Sequence, residues 1–311
     1  MTPLPALSRI AHGDFTRDLD LTQEEFLTLL DLASEVKASP ADFRAHLSGR
    51  SVALLFEKPS LRTRLTFELA IQQLGGFAIL NDGPIGAREP LKDVARNLDR
   101  WVNGIVARTF LQKTVDDLAR YSRVPVINAL SDLWHPCQAL ADMQTLRERF
   151  GSVRGMKLAF VGDGNNVANS LMLCAARLGM NFAIASPAKY GVEESVTAQA
   201  QAIADQSGSR ISLTQDPSQA VRGAHAVYTD VWASMGEEDE AAERRTAFAD
   251  YQIDDELFGL AEPDAVFMHC LPAKRGEEVT GSVIESPRSV VFDQAENRLH
   301  AQKALLLMLL A

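Results

Sequence analysis

Short runs of apolar residues alternate along the chain with segments in which apolar residues recur every three or four positions. The short runs are typical of buried strands, and the periodic segments are typical of amphipathic helices. We predict strands at Ser51–Phe56, Gly104–Ala107, Lys157–Val161, Phe182–Ala185, Ala226–Thr229, Ala265–Met268 and Ser289–Phe292. The helical patterns include Leu65–Leu74, Ala139–Phe150 and Asn169–Leu178. Strands that alternate with helices predict parallel sheets covered on both faces.

The length of 311 residues exceeds one ordinary hydrophobic core and suits two lobes of roughly 150 residues each. The stretch Phe150–Arg154 separates a long helical pattern from a new strand, so we place the domain boundary there. The predicted fold is α/β, with two lobes that each contain a mainly parallel sheet flanked by helices and that are joined by interdomain helices. The lobes cover residues 1–150 and 151–295, and a final helix over residues 296–311 packs back on the first.

The composition narrows the class of protein. Hydrophobic residues make up 46% of the chain and charged residues 23%, which are ordinary globular values. A net charge of -10 argues against a nucleic-acid partner, because binding the phosphate backbone requires a basic face. A few well-placed arginines can nevertheless hold one small anion.

The sequence also indicates a compartment. The C-terminal apolar run Leu305–Leu310 is too short to cross a bilayer, and Met1–Pro5 does not begin a secretory signal. Cys137, Cys174 and Cys270 lack the spacing of a disulfide framework. We therefore expect a cytoplasmic protein without a membrane partner.

Unusual polar residues follow five of the predicted strands. They are Ser60–Arg64, Arg108, Asp163–Asn166, Asp230–Met235 and His269-Cys270. Open parallel sheets bind ligands beyond the carboxyl ends of their strands, so these clusters predict one ligand-binding cleft.

The segment Ser60–Arg64 predicts an anion site at the start of a helix. Free N–H groups in the first helical turn attract anions, and Ser60, Arg62 and Thr63 add hydroxyls and a guanidinium group. The alternative is a capped surface helix with solvated arginines. Basic residues are unfavourable near the positive end of a helix dipole, so their presence here requires a reason. A bound anion supplies that reason, which favours the anion site.

The segment His135-Pro136-Cys137-Gln138 opens another helix, with Pro136 in the first helical position. His135 is placed to donate to a substrate carbonyl oxygen, and Gln138 to hold an amide group. A histidine that merely caps the helix is the alternative reading.

Gly162-Asp163-Gly164-Asn165-Asn166-Val167 is similar to a dinucleotide-binding fingerprint. Val167 stands where the third glycine belongs, and no acidic residue follows the next predicted strand, so we disfavour a nicotinamide cofactor. Two side-chain amides at a helix start suit a carboxylate ligand better.

The segment Asp230–Gly236 leaves a strand, and Asp230 can pair with a substrate ammonium while Gly236 allows a hinge. An acidic surface loop is the alternative, and it is the better interpretation of Glu237–Glu243.

We predict that Cys270 lines the pocket. His269 and Cys270 are neighbours on a strand and should point to opposite faces, which disfavours their joint action on one ligand as a Cys–His nucleophile. A zinc site formed with His135 and Cys137 is disfavoured because the paired ligand spacing of zinc sites is absent.

Together these segments resemble the aspartate/ornithine carbamoyltransferase family, in order through nearly the whole chain. The resemblance is carried by Phe56–Glu68, Ala107–Thr109, His135–Gln138 with Leu140–Asp142, Gly162–Asn166, Asp230–Gly236, His269–Ala273 and Ala295–Arg298. It implies transfer of the carbamoyl group of carbamoyl phosphate to the δ-amine of L-ornithine, giving citrulline and phosphate in arginine metabolism. It also implies no cofactor and no metal, and a homotrimer or an assembly of trimers.

The resemblance assigns roles to individual residues. Those implied to hold or activate carbamoyl phosphate are Ser60, Leu61, Arg62, Thr63, Arg108, His135, Gln138, Cys270, Leu271 and Arg298. Among these, Arg62, Arg108, His135, Cys270 and Arg298 are implied to be catalytic, with Cys270 beside the attacking amine. Those implied to bind ornithine are Asn166, Asp230, Ser234 and Met235.

Two positions depart from the family pattern. Leu61 stands where the family has a hydroxyl residue, and Pro84 replaces a usual Gln or His in the loop Asn81–Glu89. Both changes are expected to weaken carbamoyl phosphate binding.

Relatives that act on acylated ornithine or on putrescine remain alternatives, although their loops differ from Asp230–Gly236. A two-lobed amino-acid-binding protein is the alternative from another class.

Overall fold

The computed structural model describes residues 8–234, 236 and 238–311. The chain divides into two compact units. The first comprises the residues up to Gln144 together with Glu296–Ala311, and the second comprises Thr145–Ala295.

The first unit is built on a four-stranded parallel sheet. Its strands are β1 (Ser51–Phe56), β2 (Phe77–Asp82), β3 (Gly104–Arg108) and β4 (Val126–Leu130). They lie in the order β2-β1-β3-β4. The helices of this part of the chain are α1 (Gln23–Ala38), α2 (Leu61–Gln73), α3 (Leu91–Leu98), α4 (Gln112–Tyr121) and α5 (Pro136–Phe150). The strand order reverses at β1 and β3, so the segments that follow these two strands begin side by side.

The second unit contains a five-stranded parallel sheet. Its strands are β5 (Lys157–Val161), β6 (Asn181–Ala185), β7 (Ile211–Thr214), β8 (Ala226–Thr229) and β9 (Val266–His269), in the order β7-β6-β5-β8-β9. Its helices are α6 (Asn166–Arg177), α7 (Glu194–Ser207), α8 (Pro217–Val221), α9 (Ala241–Ala247), α10 (Asp255–Phe258) and α11 (Gly281–Ile284). The order reverses between β5 and β8, and the segments after these strands carry predicted site residues.

The last helix, α12 (Val291–Leu310), is the longest in the described part of the chain. The division between the units falls inside α5 and again inside α12. Each unit has its own hydrophobic core. One core includes Ile105 and Val115, and the other includes Val161, Phe248 and Phe267. No helix in residues 8–234, 236 and 238–311 is long and apolar enough for a membrane span.

The α/β class with two parallel sheets is confirmed, and six of the predicted strands are present. The seventh, Ser289–Phe292, is wrong. Ser289 forms only an isolated bridge with Phe267 among the described pairings, and α12 begins at Val291. Val291 and Phe292 therefore belong to the first turn of a helix. The helix starts earlier than the predicted residue 296.

Three strands were missed, namely β2, β4 and β7. All three lie at the edge of a sheet. β2 and β7 are partly exposed, so their sequences are under less pressure to be continuously apolar. β4 is buried, but Asn128 interrupts its apolar residues. Phe77 and Ile79 on β2 are indeed exposed.

Candidate active site

The start of α2 has the form of an anion-binding site. Ser60 is the N-cap residue, and its Oγ accepts a hydrogen bond of 3.2 Å from the N–H of Thr63. The first turn carries no acidic residue but does carry Arg62. Positive helix-dipole charge and N–H groups of the first turn therefore meet at the end of β1, where an anion is stabilised.

Two buried arginines converge on the hydroxyl of Thr63 in that first turn. Arg108, the last residue of β3, is 5% exposed, and Arg298 on α12 is 2% exposed. The Nη1 of Arg108 lies 3.4 Å from Thr63 Oγ1, and the Nη2 of Arg298 donates to the same oxygen at 3.1 Å. Two guanidinium groups beside one helix N-terminus concentrate positive charge at a single point.

A buried chain of hydrogen bonds fixes Arg298 from the other side. Its Nη1 donates to Gln138 Oε1 at 2.6 Å, and Gln138 Nε2 donates to Asp142 Oδ1 at 2.8 Å. Gln138 and Asp142 are both buried in α5. The amide of Gln138 thus has a fixed orientation, because its oxygen faces a cation and its nitrogen faces a carboxylate.

His135 precedes the first residue of α5, as predicted, and it is buried. Burial lowers the pKa of His135 well below its usual range, and the positive charges of Arg298 and Arg108 lower it further. The imidazole is therefore neutral at pH 7 and offers one N–H donor. Burial is the larger cause of this shift, and the two guanidinium groups add to it.

Cys137 is not placed to act as a nucleophile. Burial raises the pKa of its thiol to about 12, and the Sγ donates to the carbonyl oxygen of Asn128 at 3.3 Å. A thiol held in this protonated form is inert, because only the thiolate reacts. The side chain is instead part of the buried core.

The second unit contains a separate polar cluster around Asp230, directly after β8. Asp230 Oδ2 accepts from Asn165 Nδ2 at 2.9 Å, and Oδ1 accepts from the Cys270 thiol at 3.0 Å. The N–H of Val231 donates to the same Oδ1 at 2.8 Å. Asn165 is also the N-cap of α6, where its oxygen accepts from the N–H groups of Val167 and Ala168. One asparagine therefore joins the loop after β5 to the loop after β8.

The residue after Cys270 has a constrained backbone. Leu271 has a φ of 59°, which is unusual for a residue with a branched side chain. Its N–H donates to His269 Nδ1 at 2.9 Å, and His269 Nε2 lies 3.1 Å from Glu278 Oε1. Because Nδ1 accepts, Nε2 carries the proton and donates to the buried carboxylate. This arrangement holds Cys270 and Leu271 in fixed positions.

His269 and Cys270 do not point to opposite faces, contrary to the prediction. Ligand atoms of Asp230, His269 and Cys270 all lie within 4.8 Å of one another, so the two neighbours do approach one point. Side chains alternate between the two faces only within a strand. β9 ends at His269, so the strand geometry does not determine where the side chain of Cys270 points. Both ring nitrogens of His269 are engaged as described above, which leaves this donor set poorly suited to a metal ion.

The remaining predicted residues take different places. Leu61 is the first residue of α2, and its side chain is 70% exposed. Arg62 is partly buried in the same turn, and Asn166 is the first residue of α6. Ser234 is partly buried in the segment after β8, and Met235 lies outside the described residues.

The site residues thus fall into two groups, one in each unit. Thr63, Arg108, His135, Gln138 and Arg298 lie together in the first, and Asp230 and Cys270 lie together in the second. The contact of Asn165 with Asp230 was missed, although asparagine just before a helix is a strong N-cap signal.

The lowered pKa of His135 predicts a pH-dependent loss of stability. Below about pH 6.5 the unfolded chain protonates this histidine while the folded chain does not. Protonation therefore favours the unfolded state, and the stability of the protein falls as the pH falls below that value. We expect the free energy of unfolding to fall less between pH 7.5 and 5.5 in His135→Gln than in the wild type. Denaturant titrations without substrate measure this, and equal losses would contradict the expectation.

Comparisons with known proteins divide the chain into two domains. Residues 13–148 match the carbamoyl-P binding domain of aspartate/ornithine carbamoyltransferases, and residues 154–309 match the Asp/Orn binding domain. Over 299 residues the chain is 52% identical to an ornithine carbamoyltransferase of Acidothermus cellulolyticus, covering 95% of this chain and 96% of that protein.

A relative from Thermococcus kodakarensis with the same name is 52% identical over 296 residues, which is 94% of each chain. The solved ornithine carbamoyltransferase from Pyrococcus furiosus matches with a TM-score of 0.94 at 47% identity, covering 98% of this chain and 99% of that one. Sequence motifs, fold and relatives agree over nearly the full length, and the chain belongs to the aspartate/ornithine carbamoyltransferase family.

Proposed function

We propose that this enzyme transfers the carbamoyl group of carbamoyl phosphate to the δ-amine of L-ornithine, giving L-citrulline and phosphate. The observation that carries the proposal is the convergence of Arg108 and Arg298 on Thr63 at the N-terminus of α2. This arrangement selects a small, doubly charged anion, and family membership identifies that anion as carbamoyl phosphate.

The phosphate group is assigned to the first turn of α2. The groups proposed to hold it are the hydroxyls of Ser60 and Thr63, the guanidinium groups of Arg62 and Arg108, and the backbone N–H of Leu61. The support for this assignment is the cap geometry of Ser60 and the burial of Arg108. Buried guanidinium groups bind phosphate oxygens strongly because water does not compete for them.

The carbamoyl group is assigned to His135, Gln138, Arg298 and the carbonyl oxygen of Leu271. A neutral His135 donates one hydrogen bond to the carbamoyl oxygen, and Arg298 adds positive charge. Gln138 Oε1 is an acceptor for the carbamoyl NH2. This pattern of donors and acceptors matches an amide, which has one acceptor and two donors.

The reaction then follows from the charges. The neutral δ-amine attacks the carbamoyl carbon, a C–N bond forms, and negative charge builds on the carbamoyl oxygen. The donors on His135 and Arg298 stabilise that charge, which is an electrostatic form of catalysis. The C–O bond to phosphate breaks, phosphate leaves with the electron pair, and the amine loses a proton.

L-Ornithine is assigned to Asn166, Asp230, Ser234 and Met235, with Cys270 beside the attacking amine. Asp230 supplies the negative charge that an α-ammonium requires, and the N-terminus of α6 beside Asn166 suits an α-carboxylate. The buried position of Asp230 supports the assignment, because a hydrogen-bonded carboxylate shielded from water pairs strongly with a cation.

A direct assay tests the function. Purified enzyme with carbamoyl phosphate and L-ornithine should release phosphate and form citrulline in equal amounts, and Arg108→Gln should abolish both. N-acetyl-L-ornithine and putrescine, tested in parallel, should react far more slowly because neither presents both a free α-ammonium and an α-carboxylate. Faster turnover of either amine than of ornithine would overturn the substrate assignment.

Leu61 offers a second test of the phosphate site. Leu61→Thr adds a hydroxyl at the first position of α2, where the exposed leucine side chain makes no hydrogen bond. One added hydrogen bond contributes about 1 kcal/mol, so the KM for carbamoyl phosphate should fall by about two- to tenfold.

The control for this test is Leu27→Thr, the same exchange at an exposed position of α1, which should leave the KM unchanged. An unchanged KM in Leu61→Thr would mean that the backbone N–H at this position already supplies the contact.

We also propose that the enzyme is a cytoplasmic homotrimer or an assembly of trimers. Leu61, Leu65 and Leu69 form an exposed stripe on α2, and Phe77 and Ile79 are exposed on the edge strand β2. A cavity of about 630 Å³ runs along this side of α2 to the end of β2. Exposed apolar residues in this density are typical of a surface that another chain covers.

The three cysteines form no disulfide, and two of them are buried, which suits a reducing compartment such as the cytoplasm.

The oligomer is tested by sedimentation velocity. The wild type should sediment as a particle of three chains or a multiple of three. The double variant Phe77→Glu, Ile79→Glu should shift toward a single chain, because two carboxylates oppose burial of this face. The matched control is Leu213→Glu, a similarly exposed position on the edge strand β7, which should keep the wild-type mass. A wild type of one chain would refute the proposal.

A further inference from the structure

We propose that Arg244 is a positioning residue for ornithine, which rests on the function proposed above. Arg244 lies on α9 and is 7% exposed. Its Nη1 donates to Asp163 Oδ2 at 2.8 Å and to the carbonyl oxygen of Trp232 at 3.0 Å. One buried guanidinium nitrogen therefore holds two loops, although α9 itself contributes none of the assigned substrate contacts.

The two partners of Arg244 belong to the two loops assigned to ornithine. Asp163 lies in the loop between β5 and α6, and Trp232 lies in the segment that follows β8. β5 and β8 are neighbouring parallel strands, so both loops leave the same edge of the sheet. Asn165 and Asp230 form a second link between the same loops. Arg244 is thus the deeper of two cross-links that set the spacing of Asp230 from the start of α6.

The surroundings of Arg244 suit arginine and not lysine. Its guanidinium lies 4.8 Å from the centre of the Tyr190 ring, and its Nε donates to Glu240 Oε2 at 3.1 Å. Tyr190 is itself fixed, since its carbonyl oxygen accepts from the N–H of Gly164 at 2.8 Å. A planar group that stacks on a ring and donates in several directions is required here, and an ammonium group cannot reproduce this geometry.

The contacts of Arg244 fix the backbone on either side of the residues assigned to ornithine. Holding the Trp232 carbonyl fixes the backbone midway between Asp230 and Ser234, which are both assigned to ornithine. Holding Asp163 fixes the backbone that leads into Asn165 and the first turn of α6. Without Arg244 the α-carboxylate and α-ammonium groups of ornithine would meet contacts at less favourable distances. The groups assigned to phosphate belong to the other unit and would be unaffected.

Steady-state kinetics of Arg244→Gln and Arg244→Lys test the proposal. We expect the KM for ornithine to rise at least about tenfold in both variants, with the KM for carbamoyl phosphate and kcat within twofold of wild type. The preference for ornithine over putrescine, given by the ratio of kcat/KM values, should fall by the same factor, because putrescine lacks the groups that these loops grip. A purely structural role would reduce turnover of both amines alike.

Two further variants complete the design. The matched control is Arg245→Gln, which changes the next residue of the same helix, an exposed arginine bonded to the carbonyl of Ala241. It should behave as wild type. Asp163→Asn should raise the KM for ornithine as well, and combining it with Arg244→Gln should add little, because both changes break one link.

The outcomes separate the two proposals. An unchanged KM for ornithine in folded Arg244→Lys, or equal rises in both KM values, would overturn the role of Arg244. If Arg244→Gln does not fold, Arg244→Lys and Asp163→Asn carry the same test. Absence of citrulline formation by the wild type would instead overturn the proposed function.

Discussion

The contact of Arg108 and Arg298 with the Thr63 hydroxyl is the constraint on which the first unit depends. It joins the end of β3, the start of α2 and the C-terminal helix, with the Thr63–Arg298 contact spanning 235 positions in sequence. Buried positive charges repel one another and require either an acidic partner or a bound anion. The amide of Gln138 links Arg298 to Asp142, and the two guanidinium groups place positive charge beside the helix N-terminus. His135 is neutral because it is buried and, to a smaller extent, because Arg298 and Arg108 are close to it.

The polar cluster of the second unit is built around a negative charge, the carboxylate of Asp230. Asp230 collects hydrogen bonds from Asn165, Val231 and Cys270, which hold its carboxylate without neutralising it. The proposed sites for a dianion and for an aliphatic ammonium are therefore formed by separate groups of residues that carry opposite charges. This division explains how a chain with a net charge of -10 binds an anionic substrate, because local burial and geometry outweigh the average charge.

Each reactive-looking side chain has its chemistry set by its neighbours. Cys137 and Cys270 are both thiols, yet Cys137 is buried with a pKa raised to about 12, and Cys270 donates to the carboxylate of Asp230. His135 and His269 also differ, because one is a neutral group among arginines and the other is held between a backbone N–H and Glu278. Residue type alone would have grouped these pairs together.

The sequence by itself determined the fold class, the central strands and the helix starts at Ser60 and His135, because these features follow from local periodicity and capping chemistry. It also placed polar residues at strand ends. Only the tertiary structure decided that Arg298 contacts Thr63, that Arg244 links Asp163 to Trp232, and that Ser289–Phe292 enters a helix. Such contacts join residues far apart in the chain, and burial at those contacts sets their charge states. No local pattern encodes either the partner or the solvent exposure of a side chain.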